Sequence, residues 1–197
     1  MALLRAPVPL GYGQASKEAH SIAAPLLTGA ALALAGVVAG AGDKVFRWPG
    51  VSLLMLVATS MALIASIQLH YYSRQFLYSR QDIHDWYDLD DGPGHELQLT
   101  RLYAWQGDDY TKWASYNDRA VRCFNAGTVL LGLGVVAALI PPDGVRQASW
   151  RWAAAALVLV CTAAETAWTL AIYRKNARLS DKRGSALSAI AKPRENA

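Results

Sequence analysis

The sequence predicts an all-α polytopic membrane protein with four transmembrane helices arranged as two hairpins. Three observations carry that expectation. Of 197 residues, 53% are hydrophobic and only 17% charged, and the charges avoid four windows almost completely. Each window is long enough to cross roughly 30 Å of hydrocarbon at about 1.5 Å per helical residue. Between the second and third windows lies one long polar stretch, Tyr71–Arg122, rich in Tyr and Trp. Its pattern predicts that spans two and three extend into a cytoplasmic helical hairpin. The expected organisation is a flexible cytoplasmic leader over 1–20 and a first membrane hairpin over 21–72. A cytoplasmic connector with an acidic turn follows over 73–119, then a second membrane hairpin over 120–173 and a basic disordered tail over 174–197.

The leader holds Pro7, Pro9, Gly11 and Gly13 and few charges. The apolar run behind it, Ile22 to Ala41, exceeds the ~7–15 residues of a signal-peptide core, so it is expected to be a retained span. Pro25 falls in its opening turn, where a missing N–H costs little. Gly29, Ala33, Gly36 and Gly40 recur at spacings of three and four and form the expected helix-packing face, because small residues let another backbone approach closely in lipid. Trp48 and the Tyr71–Tyr72 pair bracket the second span, from Val51, as interfacial aromatics. Near its inner end His70 reads as an interfacial residue. The third span runs from about Cys123 to Ile140 and stops at Pro141–Pro142; the fourth runs from about Trp152 to Tyr173. Cys123 and Cys161 both lie in apolar runs and read as small buried hydrophobes, with no disulfide framework.

Orientation follows from basic residues. Fifteen of the 19 Lys and Arg lie in the leader, connector and tail, and four (Lys44, Arg47, Arg146, Arg151) in the two short turns. The positive-inside rule then puts both termini and the connector on the cytoplasmic side of the plasma (cell inner) membrane. The same excess accounts for the net charge of +4 without nucleic acid.

Within the connector, Ser79 followed by Asp82 reads as a helix start, Ser capping and the carboxylate favouring the positive end. Helix two is expected to continue through Arg74–Tyr78 up to that point. Leu99, Leu102, Tyr103, Tyr110, Trp113, Ala120 and Phe124 recur at three, four and seven, predicting an amphipathic helix that runs into span three. Trp86, Tyr87, Tyr103, Trp105 and Trp113 are the partner-binding candidates. The acidic turn could hold a divalent cation on His84, Asp85, Asp88, Asp90 and Asp91, since hard cations favour carboxylate oxygens, but the spacing fits no EF-hand loop, so no metal is expected. A solvated acidic turn that attracts the basic tail is the plainer reading.

Glu165 is the chemically unusual residue, a carboxyl inside span four. An ionised group there costs at least ~2.5–3.5 kcal/mol, so such residues usually face a cavity or the bundle interior. Thr162 and Thr169 share its helix face, and matching depths suggest Thr28, Ser66 and Thr128 as neighbours on the other helices of a four-helix bundle. Together these six are the intramembrane polar or ion-site candidates.

The stretch YSRQDIHDWYDLDD, the aromatic connector and YNDRAVRCFNAGTVLLGLGVVAALIPP resemble uncharacterised four-span membrane proteins of high-GC bacteria, over roughly residues 65–142. The resemblance implies the four-span fold and no activity. There is no P-loop, GxSxG, HExxH or CxxCH, so neither an enzyme nor a cofactor is expected. Two functions remain open. One is a non-enzymatic membrane scaffold or accessory subunit offering its connector to a protein partner or to another copy of itself. The other is a small oligomeric ion channel or pore-forming effector that uses Glu165.

Overall fold

A computed structural model describes residues 12–41, 45–86, 95–144 and 148–191. Most of the described residues are helical, and none is in a strand: α1 (Tyr12–Glu18), a π turn (Ala19–Ala23), α2 (Ala24–Gly40), α3 (Pro49–Arg74), α4 (Arg80–Trp86), α5 (His95–Leu139) and α6 (Ala148–Ala191). Four of these helical runs are long and apolar enough to cross a membrane.

The tightest pairing joins α3 and α5. Buried positions on α3 are Ser52, Leu56, Thr59, Leu63, Ser66, His70 and Ser73, with Ser60 beside them. Apart from Ser60 they alternate by four and three, the seam of a left-handed coiled coil. The facing seam of α5 supplies holes. A Cβ added at Gly127 would lie 2.8 Å from the Leu63 side chain, and one at Gly134 would lie 3.2 Å from Leu56. Leu56 and Leu63 are therefore knobs seated on glycine, and the Ser and Thr between them keep the backbones close. The contacts Leu56–Gly134, Leu63–Gly127 and His70–Asn117 make the pair antiparallel.

On one side of this pair α2 packs along α3, with Ala35, Val38 and Leu56 forming an apolar cluster that Phe46, Leu53, Leu131 and Ala138 surround. On the other side α6 packs along α5. Among the described residues no extended contact joins α6 to α2 or α3, so the spans make an open row and not the expected four-helix bundle. Only 6% of the most apolar stretch of α6 is buried, against 33% for α3. Arg151 ties the far ends together: its guanidinium donates to the carbonyls of Ala138 (3.1 Å) and Leu139 (3.2 Å), which end α5, and to that of Val45 (3.4 Å). A cation is favoured there because the last carbonyls of a helix are unpaired and carry the negative end of its dipole.

Four expectations are corrected. The N-terminal leader is not loose over residues 12–20, because Tyr12–Glu18 is helical and Ser16 and His20 are buried. The tail is helical to Ala191. Helix two does not run on to Tyr78 but stops at Arg74, where the N–H groups of Phe76 and Leu77 turn back onto the carbonyls of Ser73 and Arg74. The cause is aromatic: Phe76 folds back edge-on to Tyr72 (5.3 Å) and stacks on Tyr116 of α5 (6.0 Å). Finally, the small-residue face of α2 that packs inside the chain is Ala24, Thr28, Ala31, Ala35 and Val38. Gly29, Ala33, Gly36 and Gly40 lie on the outer side, and a Cβ at any of the three glycines would meet nothing within 4 Å.

Candidate functional site

Buried polar side chains concentrate where α1, α3 and α5 meet. The local cause begins with Pro25. Proline lacks the N–H that would close on the carbonyl of Ser21, and its ring crowds that carbonyl, so the preceding turn widens. The result is the π turn, in which the Ala24 N–H reaches back to the Ala19 carbonyl. With a wider turn, residues four apart stay on one side, and Ser16, His20 and Ala24 all face inward.

His20, 2% exposed, stacks on His70 of α3, with ring centroids 4.6 Å apart and planes at 12°. Phe124 of α5 closes the side toward the apolar spans, 5.6 Å from His20. Asn117 of α5 is the hub. Its Oδ1 accepts the Ser16 hydroxyl at 2.8 Å and the His70 Nδ1–H at 3.3 Å. The His20 Nδ1–H donates to the Ser16 carbonyl at 2.7 Å. These acceptors assign the proton to Nδ1 in both rings, which leaves both Nε2 atoms as acceptors. Both Nε2 atoms, the Asn117 Nδ2 and the Ser66 Oγ one turn along α3 are buried without a protein partner. Near-parallel stacked rings aim their in-plane lone pairs along separate planes, so a single ion cannot sit on both. Among the described residues no group of three His, Cys, Asp or Glu comes together.

A second polar cluster ties the connector. The Tyr78 hydroxyl (3.1 Å) and the Lys112 ammonium (2.9 Å) both donate to Asp109. The hydrogen bond from Lys112 holds the Asp109 carboxyl below its usual range, helped by Tyr78, and the same bond raises the Lys112 ammonium. By linkage this tie contributes above the ordinary carboxylate value of ~3.9 and is lost as pH falls below it. Gln106 donates to the Tyr78 carbonyl at 3.0 Å. At the head of α4 the Ser79 Oγ accepts the Asp82 N–H (3.1 Å), the cap expected there, and Asp82 in turn accepts the Ser79 N–H (2.6 Å), which makes the cap reciprocal. The Ser79 N–H keeps the Asp82 carboxyl low.

The sequence candidates fall in different places. Glu165 is exposed on α6 and is not gathered with Thr28 or Ser66, because among the described residues the extended packing of α6 is against α5. Thr162 is half-buried against Gly132 of α5, and its hydroxyl donates to the Val158 carbonyl. Thr169 is half-buried on the same side, and Thr128 donates to the Asn125 carbonyl. Thr28 is buried and donates to the Ala24 carbonyl; Ser66 is buried beneath His70. Of the aromatic candidates, Trp86 and Trp105 are exposed, at 72% and 58%. Tyr103 is half-buried under the Arg80 guanidinium (4.9 Å) and beside His84. Trp113 is buried against Gly13 and belongs to the interior, correcting its assignment to a partner surface. Tyr87, Asp88, Asp90 and Asp91 lie outside the described residues, as does any contact of the basic tail with the acidic turn; Asp85 accepts from Gln81. The reading from sequence missed His20, Ser16 and Asn117. The one signal was the spacing Ser16–His20–Ala24–Thr28–Ala31–Ala35–Val38, a small or polar stripe as regular as the glycine stripe beside it.

Comparison with protein families, with characterised proteins and with solved structures found no match.

Proposed function

We propose that this chain is a non-enzymatic membrane scaffold or accessory subunit that docks a protein partner on its helical connector. In this reading it spans the plasma (cytoplasmic) membrane as two hairpins, with both termini and the connector cytoplasmic. The observation that carries it is the contrast within the connector. Tyr72, Phe76, Tyr116, Trp113 and Asp109 are spent on holding its helices together, while Trp86 and Trp105 remain 72% and 58% exposed. Large exposed aromatics outside the apolar spans are the residue type that anchors interfaces. A photocrosslinking residue placed at Trp105 and at Trp86, in cells, tests it. The reading expects one discrete protein adduct from these sites and none from Met61 in the span. Equal labelling from all three, or labelling by lipid alone, overturns it.

One observation favours a second reading, the oligomeric ion channel. Glu165 is exposed on an apolar helix, where a lone carboxyl facing lipid is costly, and a second chain that covers it removes that cost. Flux through proteoliposomes of the pure protein, abolished by Glu165→Gln, would establish the channel and displace the scaffold.

A further inference from the structure

We propose that Ser16, His20, His70 and Asn117 form an acid-sensitive latch that holds the N-terminal helix α1 and the π turn on α3 and α5. Few other groups fasten α1. Its outer positions Gln14, Ala15, Lys17 and Glu18 are exposed, Gly13 rests on Trp113, and Ser16 and His20 are the buried contacts. The latch is complete only with neutral rings. Each Nδ1–H has its acceptor, and the ring faces stack at 4.6 Å. A proton on either Nε2 creates a donor at an atom that has no hydrogen-bond partner among the described residues, and a cation pressed against a second imidazole. A proton on both places two cations face to face.

Among the described residues no anion is paired with either ring. On α1, Lys17 and Glu18 are exposed and hydrogen-bond nothing in the node. On α3 the nearest charge is Arg74, four residues beyond His70 and of the same sign. On α5, Asp118 is paired with Arg122, Arg119 lies over the Tyr116 ring, and Cys123 and Tyr116 make no hydrogen bond to either histidine. The released state can hydrate its imidazolium groups and the packed state cannot. Packing of α1 is therefore full at alkaline pH, where both rings are neutral, and weakens at acid pH. Lowering the pH frees the N-terminal segment while the α3–α5 seam, which has no titratable group below His70 and Asn117, stays closed.

Paired spin labels on the full-length protein in nanodiscs test the latch, with Cys123 and Cys161 replaced by Ser. Labels at Gln14→Cys and Ser115→Cys report α1 against α5, and labels at Tyr71→Cys and Arg119→Cys report α3 against α5. The expected result is a narrow Gln14–Ser115 distance at pH 8 that gives way to a broad, longer population at pH 5, at least tenfold more abundant than at pH 8. The Tyr71–Arg119 distance stays narrow at both. With His20→Asn or His70→Asn, which retain a donor at the Nδ1 position and cannot be charged, the change between the two pH values is at least halved. The wild-type arm is decisive alone: an unchanged Gln14–Ser115 distance at pH 5 overturns the latch. So does a Tyr71–Arg119 distance that broadens with it, since that is general acid unfolding, and so does an undiminished pH response in both Asn variants.

Discussion

Two helices carry glycines at similar spacings, and only one of them uses them. On α5, Gly127 and Gly134 receive Leu63 and Leu56, and Gly132 lies where an added Cβ would come within 2.8 Å of the Thr162 Cγ2. On α2, Gly29, Gly36 and Gly40 face outward with nothing within 4 Å. The helices do not differ in what their small residues permit. They differ in what stands opposite. The seam of α3 offers leucines seven residues apart, matched to glycines seven residues apart, while α2 turns Ala31, Ala35 and Val38 inward instead. Small-residue spacing marks where a backbone could approach; the knob on the other helix decides whether one does.

The comparison is broken most severely at the knob. Leu63→Ala empties a fully buried site and is expected to cost about 2–5 kcal/mol, read as a lower midpoint when the protein is titrated with a denaturing detergent. Gly127→Ala attacks the same contact from the hole. Its Cβ would overlap Leu63 at 2.8 Å, and overpacking of this kind costs about 1–3 kcal/mol. Because the two substitutions act on one contact, their effects are not additive: Gly127→Ala is nearly harmless once Leu63 is alanine. Additive losses in the double variant would mean that the glycine does not serve the leucine.

This contrast also explains what could be read from sequence. Four apolar helices follow from charge avoidance, a one-dimensional property, and the continuous α5 follows from its three-four-seven spacing. The cap of α4 was legible because Ser79 and Asp82 satisfy each other within one turn. The His20–His70 stack was not, since it joins residues 50 positions apart through a π turn and a fold-back, and no spacing encodes either. Glu165 misled for a related reason: an expensive carboxyl implies a partner, but not that the partner lies in the same chain. Its outward position on α6 separates the residue that is costliest in lipid from the buried polar node on α1, α3 and α5.

A glycine that serves no contact should be replaceable at a profit, and Gly107 of α5 is the soluble test. It sits inside a 45-residue helix with nothing within 4 Å of an added Cβ. Gly107→Ala removes the excess conformational freedom of glycine and should raise the stability of the connector by about 0.5–1 kcal/mol, seen as slower amide exchange across 100–114. A loss instead would show that α5 must bend there.

The smallest effect is expected at Gly36, and it is the sharpest test of the difference between the two helices. Gly36→Leu puts a large side chain into open space on α2, so the detergent-titration midpoint of the monomer should move by no more than the ~0.5 kcal/mol typical of surface sites. The same substitution leaves Ala35 and Val38 of the inward face untouched. If the midpoint falls as far as it does for Gly127→Ala, the outer face of α2 meets another backbone after all, and that backbone belongs to a different molecule. A companion measurement of mass in detergent then separates two causes. A wild-type oligomer that Gly36→Leu converts to monomer assigns the α2 glycines to contact between copies, whereas a monomer in both cases with lowered stability would mean that α2 packs within the chain differently from the arrangement described above.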